Sequence, residues 1–215
     1  EETMPIFYDN NIRIFKTSCG PYDNNAYLIV SPDTNEGIII DAPMQPEVLL
    51  EEASNIDVKY ILITHRHQDH LAGLSMIKEK TGALIGVHSE DAEALPVEPD
   101  FFVKDQDNIL VSIINMTVLH TPGHTPGSVC YLVEDNIFSG DTLFPGGPGH
   151  SSSAQNLNQT IKSITQKLFV LPDSLSLLPG HGAEGVLGVS KEEYNLFASK
   201  PHRDDLSGDV LWLQS

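Results

Sequence analysis

Ile61-Leu-Ile-Thr-His-Arg-His-Gln-Asp-His-Leu-Ala-Gly73 carries an apolar run straight into three histidines and an aspartate. Tyr60 to Thr64 is short, apolar and β-branched, which predicts a strand buried on both faces, while Leu71, Leu74 and Ile77 have helical spacing. His65 to His70 therefore fall on a strand-to-helix turn. Only such a turn lets side chains one, two and three residues apart converge on a point; a regular strand or helix would splay them. Histidine suits zinc, and added carboxylate makes a donor set for a hydrolytic metal. A polar turn whose histidines merely cap the next helix does not account for four ligand-type residues among six positions.

Upstream, Ile12 to Phe15, Ala26 to Val30 and Gly37 to Asp41 read as strands of a meander, punctuated by Gly20 to Asn25 and Ser31 to Glu36. Pro46 to Ala53 has the Leu spacing and early proline of a first helix. Downstream, a helix from about Ala72 stops at Gly82, and Leu84 to Val87 is the next buried strand, a β-α-β rhythm. Strands are then expected at Ile109 to Ile114, Met116 to Leu119, Ser128 to Val133 and Asn136 to Ser139. A helix over Asn156 to Leu168 and a last strand, Ser176 to Leu178, follow. Blocks of strands with helices outside them predict two sheets face to face, sheathed by helices. No boundary divides residues 1–215, which read as one domain.

Composition narrows the function. A net charge of −18, with 12 Lys plus Arg against 30 Asp plus Glu, argues against a nucleic-acid groove, which needs clustered cations. Two cysteines, Cys19 and Cys130, lie in unrelated contexts and read as reduced thiols, consistent with a cytoplasmic protein. No apolar stretch is long enough to span a membrane, and Glu1-Glu-Thr-Met-Pro5 has neither the basic nor the apolar region of a leader. The expected partner is a small-molecule substrate.

Three more ligand-type residues close apolar strands between glycines: His124 in Thr121-Pro-Gly-His-Thr-Pro-Gly127, Asp141 in Phe138-Ser-Gly-Asp-Thr142, and His181 in Leu178-Pro-Gly-His-Gly182. Glycine and proline permit the tight loops and close approach that a small site at strand ends requires. Each is weak evidence alone; with the first turn they make five histidines and two aspartates, enough for two metal ions. His88 ends a strand with no motif around it and reads as solvated or structural, while His120, ending a strand just before the His124 loop, reads as a structural residue or a support for the ligands and not as a ligand. His202 and Trp212 lie in the tail, where Leu211, Trp212 and Leu213 are expected to tie the C-terminus to the body.

These residues resemble the metallo-β-lactamase superfamily, whose His-x-His-x-Asp-His signature corresponds to His65, His67, Asp69 and His70. The similarity extends over nearly the whole chain, through Asn24 to Ile29, Ile38 to Ala42 and the later loops in the family's order. The resemblance implies an α/β (α+β) fold, a four-layer αβ/βα sandwich of two mixed sheets flanked by helices. It implies His65, His67 and His124 on one metal, Asp69, His70 and His181 on the other, Asp141 bridging, and Asp41 as the buried acid supporting the metal loop.

Departures select among the family's chemistries, since the fold alone does not. Flavodiiron proteins have glutamate where His67 stands. The true β-lactamases have cysteine, or no bridging carboxylate, where Asp141 stands, and the nucleases carry extra domains or arms. Gly140-Asp-Thr-Leu-Phe-Pro-Gly-Gly-Pro-Gly149 is similar to the loop of glyoxalase II and its shorter bacterial relatives, which hydrolyse glutathione thioesters. Where glyoxalase II has a basic residue after this loop, this chain has His150, and the helical C-terminal domain has no counterpart.

The resemblance thus implies a binuclear hydrolase of small thioesters using a bridging hydroxide, with two divalent ions (zinc, or iron or manganese), and Asp69 as the catalytic residue that orients the hydroxide. His150, Phe144 and Tyr22 are the candidate substrate-binding residues. A lactonase or phosphodiesterase of the same fold, or a mononuclear iron persulfide dioxygenase, is the alternative.

Overall fold

The computed structural model describes residues 6–215; the leader reading of Glu1 to Pro5 lies outside them. The chain opens as a meander: β1 (Ile6–Asp9), β2 (Arg13–Cys19), β3 (Asn24–Ser31) and β4 (Glu36–Ile40), each antiparallel to the next. After helix α1 (Glu47–Glu52), β5 (Asp57–Leu62) joins β4 in parallel. Helix α2 (Leu74–Thr81) then leads to β6 (Leu84–His88) and β7 (Phe101–Val103), also parallel. These form one seven-stranded sheet in sequence order.

The second block contains β8 (Asn108–Val111), β9 (Ile114–His120), β10 (Val129–Val133) and β11 (Asn136–Gly140). A small β12 (Leu143–Phe144) and β13 (Gly147–Pro148) hairpin follows, then α3 (Ala154–Ser163), β14 (Ser176–Pro179), β15 (Gly185–Val186) and α4 (Leu187–Ala198). The second sheet has six strands in the order β15-β14-β11-β10-β9-β8, and only β11 and β14 are parallel.

Why two sheets stack is visible in β3, where all eight positions are buried. Alternate side chains point to opposite faces. Tyr27 and Ile29 pack between the sheets with Val118, Tyr131 and Phe138 of the second sheet, whereas Leu28 and Val30 face outward and are covered with Leu49, Leu74 and Ile77 of α1 and α2. A third cluster lies outside the second sheet, where Leu157, Leu187, Phe197 and Trp212 cover Cys130, Ile137 and Leu177. The result is the expected four-layer sandwich. Among the described residues no helix is long and apolar enough to cross a membrane, and both cysteines are free and buried.

Several boundaries differ from expectation for identifiable reasons. Ile109 to Ile114 is not one strand but a tight hairpin: Ser112 takes φ +51° and Ile113 is exposed, so the apolar run spans the turn between β8 and β9. Ser176 to Leu178 is not the last strand, because β15 pairs beside it. Helix α4 escaped the periodicity, since Val189 and Leu196 face solvent while Ser190 is buried, which blurs its apolar stripe. The Asn156 helix ends in a π turn over Ile164–Leu168. Leu211 and Leu213 are exposed, so the tail is anchored instead by buried Val210 and Trp212, the latter edge-on to Tyr194 and tilted against Phe197.

Trp212→Ala should therefore destabilise the protein by about 3–5 kcal/mol, the scale for deleting a buried aromatic. Chemical denaturation followed by circular dichroism checks this, and Trp212→Phe should recover most of the loss.

Candidate metal centre

Each candidate ligand leaves the end of a strand at one edge of the paired sheets. His65 follows β5, Asp141 follows β11 and His181 follows β14, while His124 lies in the loop between β9 and β10. The sheets are pinned together here. Tyr131 Oη donates to the Ile63 carbonyl (2.9 Å), Val129 N to the Thr64 carbonyl (2.9 Å), and Tyr27 Oη to the Pro179 carbonyl (2.7 Å). Gly180 marks how tight the seam is: a Cβ there would fall 2.3 Å from Asp141 Oδ1 and 2.6 Å from the His70 ring.

Two donor groups result. His65, His67, His124 and Asp141 form one, and Asp69, His70 and His181 the other. In the first, His67 Nδ1 lies 3.1 Å from His65 Nε2 and 2.9 Å from His124 Nε2. In the second, His70 Nε2 and His181 Nε2 are 3.0 Å apart, and Asp69 Oδ2 is 3.2 Å from His181 Nε2. Asp141 faces both groups, with Oδ1 3.4 Å from His70 Nε2 and Oδ2 3.7 Å from His124 Nε2.

The donors fit divalent ions on three grounds. Two nitrogens bound at about 2.0–2.1 Å to one tetrahedral ion lie about 3.3 Å apart, close to the spacings seen. Asp141 Oδ1 is buried without a hydrogen-bond partner, a costly arrangement unless a cation satisfies it. The outer ring nitrogens are already committed: His124 Nδ1 donates to the His150 carbonyl (2.9 Å), His181 Nδ1 to the Tyr22 carbonyl (2.8 Å) and His70 Nδ1 to Asp41 Oδ2 (2.9 Å). Each bond fixes the tautomer and turns the opposite lone pair inward.

Asp41 organises the turn. It sits just past β4 in the left-handed region, φ +59°, and accepts from Thr64 N and Thr64 Oγ1, both at 2.8 Å, as well as from His70. Thr64 Oγ1, having donated, accepts from His65 Nδ1 (3.0 Å). One buried carboxylate thus fixes two of the candidate ligands.

The electrostatics of the two groups differ. Burial lowers the basicity of His65, His67 and His124, keeping them neutral. Burial also disfavours charge on His70, but the carboxylates of Asp41 and Asp141 outweigh it and raise its pKa to about 10. His181 rises to about 10 likewise, with Asp141 and Asp69 overcoming burial. Asp69 is held well below the usual carboxylate range by His181, against the opposing effect of burial, and by the Asn24 amide.

The substrate candidates lie around this core. Phe144 lines a cavity beside His124 and Asp141, 6.3 Å from the His181 ring. His150 braces His124 through its carbonyl, while its ring meets Asp209 at 3.0 Å. Tyr22 touches the centre through its carbonyl, and its side chain is exposed. His88 and His120 stack with ring centroids 3.9 Å apart and planes 14° apart, and with Glu90 they make a further cluster of ligand-type side chains separate from the seven.

Three residues went unassigned in the sequence. Asn24 Nδ2 donates to Asp69 Oδ2 (2.9 Å). Asp91 is fully buried and accepts from Arg66 N, Gly127 N and Thr125 Oγ1, tying the His65–His67 turn to the His124 loop. Asp209 lines the cavity. Asn24 stood within a family-like stretch, but Asp91 in Ser89-Glu-Asp-Ala92 reads as an ordinary solvated acid.

The metallo-β-lactamase superfamily model matches residues 19–198. The chain belongs to the metallo-β-lactamase superfamily. Within the superfamily it is 36% identical over 162 residues to the hydroxyacylglutathione hydrolase of Pelagibacter ubique, covering 74% of this chain and 66% of that one. It is 30% identical over 213 residues to hydroxyacylglutathione hydrolase GloC of Haemophilus influenzae, covering 88% and 99%. The chain therefore spans about two thirds of the length of the former and nearly all of the latter. Among solved structures, ETHE1 from Myxococcus xanthus superposes with a TM-score of 0.76 at 27% identity, over 87% of this chain and 85% of that one. The chain thus has glyoxalase II-like relatives within the superfamily and a His/Asp cluster suited to divalent metal.

Two outcomes test this geometry. At pH 8 an ion-free Asp69–His70–His181 group, its imidazoles titrating near 10, holds at least one proton that a metal must displace. Zinc titration calorimetry in buffers of different ionisation enthalpy should therefore show about one proton or more released per chain, because ligation requires neutral imidazole. Asp91→Ala should weaken zinc binding about tenfold, the lower end of the cost of losing an outer support, as measured by chelator competition.

Proposed function

We propose that the protein is a binuclear metal-dependent hydrolase of small thioesters. The observation that carries this reading is the position of Asp141, one carboxylate facing both donor groups with a buried oxygen that no hydrogen bond satisfies. His65, His67 and His124 would hold one ion and Asp69, His70 and His181 the other, with Asp141 between them. Zinc suits these nitrogen and oxygen donors, as iron and manganese do. Bound divalent ions supply a water acidic enough to attack near neutral pH and a Lewis acid for the carbonyl.

The chain's own residues supply the rest. Asp69, its Oδ2 steadied by Asn24, would orient the attacking water by accepting a hydrogen bond from it. Phe144 and the 145–150 loop shape the cavity in which the acyl compound sits against His124 and Asp141. A thiolate departs without a dedicated proton donor because thiols have a pKa of about 8.5. An alkoxide from a lactone or phosphodiester would need one, which favours the thioester. The glyoxalase II-like relatives support the same choice.

Initial rates on lactoylglutathione and on a neutral acetyl thioester, with zinc, iron and manganese quantified in the same sample, test the proposal. Turnover should scale with about two ions per chain, an expectation set by the paired donor groups. Asp141→Ala should stay folded, bind fewer ions and lose about 100- to 1,000-fold in kcat, the scale of removing a key electrostatic stabiliser. Wild-type turnover in that variant would refute the reading. Fully loaded protein that cleaves a lactone or chromogenic phosphodiester, or consumes oxygen with glutathione persulfide, but leaves thioesters intact would replace it.

A further inference from the structure

The C-terminal stretch forms a wall of the reaction cavity. That cavity, about 330 Å³, has His124 and Asp141 on one side and Asp209, Val210 and Leu211 on another. The wall is built in. Ser151 and Gly208 exchange backbone hydrogen bonds of 3.0 and 2.7 Å, and Trp212 N donates to the Gly146 carbonyl at 2.8 Å. A Cβ on Gly147 would fall 2.3 Å from the Val210 carbonyl oxygen, so loop and tail are packed backbone to backbone. Trp212, fully buried, locks the end.

The charge on this wall has one sign. Among the described residues the cavity lining includes no Lys or Arg. Asp141 is committed to the candidate centre, which leaves Asp209 and His150 as the groups facing the outer part of the cavity. Their side chains meet at 3.0 Å, yet Asp209 keeps 86% exposure and His150 61%, so the carboxylate presents itself to anything entering. The net charge of −18 adds a background of the same sign.

We propose that Asp209 selects substrates by charge: the site takes acyl compounds whose leaving-group portion carries an ammonium in preference to those whose leaving-group portion carries a carboxylate. This rests on the hydrolase reading above. A unit charge about 4 Å from an exposed carboxylate is worth about 1 kcal/mol or less, so a cation drawn in and an anion pushed away together differ by about tenfold.

Three acetyl thioesters of similar size test the idea on metal-loaded protein: acetylthiocholine, its neutral 3,3-dimethylbutanethiol isostere, and S-acetyl-3-mercaptopropionate. The expected kcat/KM favours acetylthiocholine over the carboxylate compound by about tenfold at low ionic strength, and the ratio shrinks in high salt. Asp209→Lys should invert the ratio. Asp204→Lys, the same charge change at an exposed tail position outside the cavity lining, should leave it in place. A ratio near one in wild type, or one that both variants shift equally, overturns the proposal.

Binding separates this result from the hydrolase reading. The free thiols thiocholine and 3-mercaptopropionate, titrated into cobalt-loaded protein and followed by thiolate-to-cobalt absorption, report the preference without hydrolysis. Tighter thiocholine binding that Asp209→Lys reverses, in a protein that cleaves no thioester, keeps the charge selection and removes the hydrolase. Equal affinities remove the charge selection whatever the turnover.

Discussion

Asp41 is the carboxylate on which the centre depends. Its three accepted hydrogen bonds, from Thr64 N, Thr64 Oγ1 and His70 Nδ1, are each 2.8 or 2.9 Å long and enclosed between the two sheets. A buried carboxylate is tolerated only when its oxygens are so engaged. The bonds in turn fix the backbone where β5 gives way to the histidine turn, the His65 ring through Thr64, and the His70 ring directly. Without that anchor the His65 to His70 turn would have no reason to present four donors to one seam. The left-handed backbone at Asp41 is the local strain that this arrangement accepts.

The rest of the centre repeats the same device with cheaper parts. His124 and His181 are steadied by main-chain carbonyls of His150 and Tyr22, and Asp69 by the Asn24 amide. Main-chain acceptors need no particular side chain, only a loop in the right place. The loops are placed by the sheets, because β4 and β5 run parallel in one and β11 and β14 in the other, so their ends reach the same edge. Fold and chemistry are therefore coupled through backbone geometry. The two histidine groups differ in basicity because burial dominates at His65, His67 and His124 while the carboxylates of Asp41, Asp69 and Asp141 outweigh it at His70 and His181.

That division explains what was legible in the sequence. The ligand-type residues stood out because each interrupts an apolar strand with a glycine-flanked acid or histidine, a local pattern that burial cannot explain. The sheets were legible for the same reason: β3, most of β4 and the Ile61–Ile63 run that ends β5 are apolar enough to need cover on both faces. Asp91 was not legible, since its role comes from loops 25 and more residues away that donate to it. The β8–β9 hairpin hid inside a run of apolar residues, and α4 hid because a buried serine and exposed leucine broke its stripe. Each miss is a case where tertiary packing, not local periodicity, decided the outcome.

The tail is where the proposed selection by charge would arise, because Asp209, Val210 and Leu211 line the cavity beside His124 and Asp141. The donor groups, Asp41 and the paired sheets would serve any acyl hydrolysis, so they cannot by themselves choose among thioesters. Choice has to come from the cavity's outer part, and there the chain has put a 34-residue stretch after His181 that returns across the glycine loop. Gly146 and Gly147 have no side chains to hold it off, and Trp212 supplies the apolar burial that holds it down. The wall that results is made of backbone, two aliphatic side chains and one acid. With the tail held by the Ser151–Gly208 and Gly146–Trp212 backbone bonds, the exposed acid can change without disturbing the fold, so position 209 is where we place the charge preference while the metal centre stays the same.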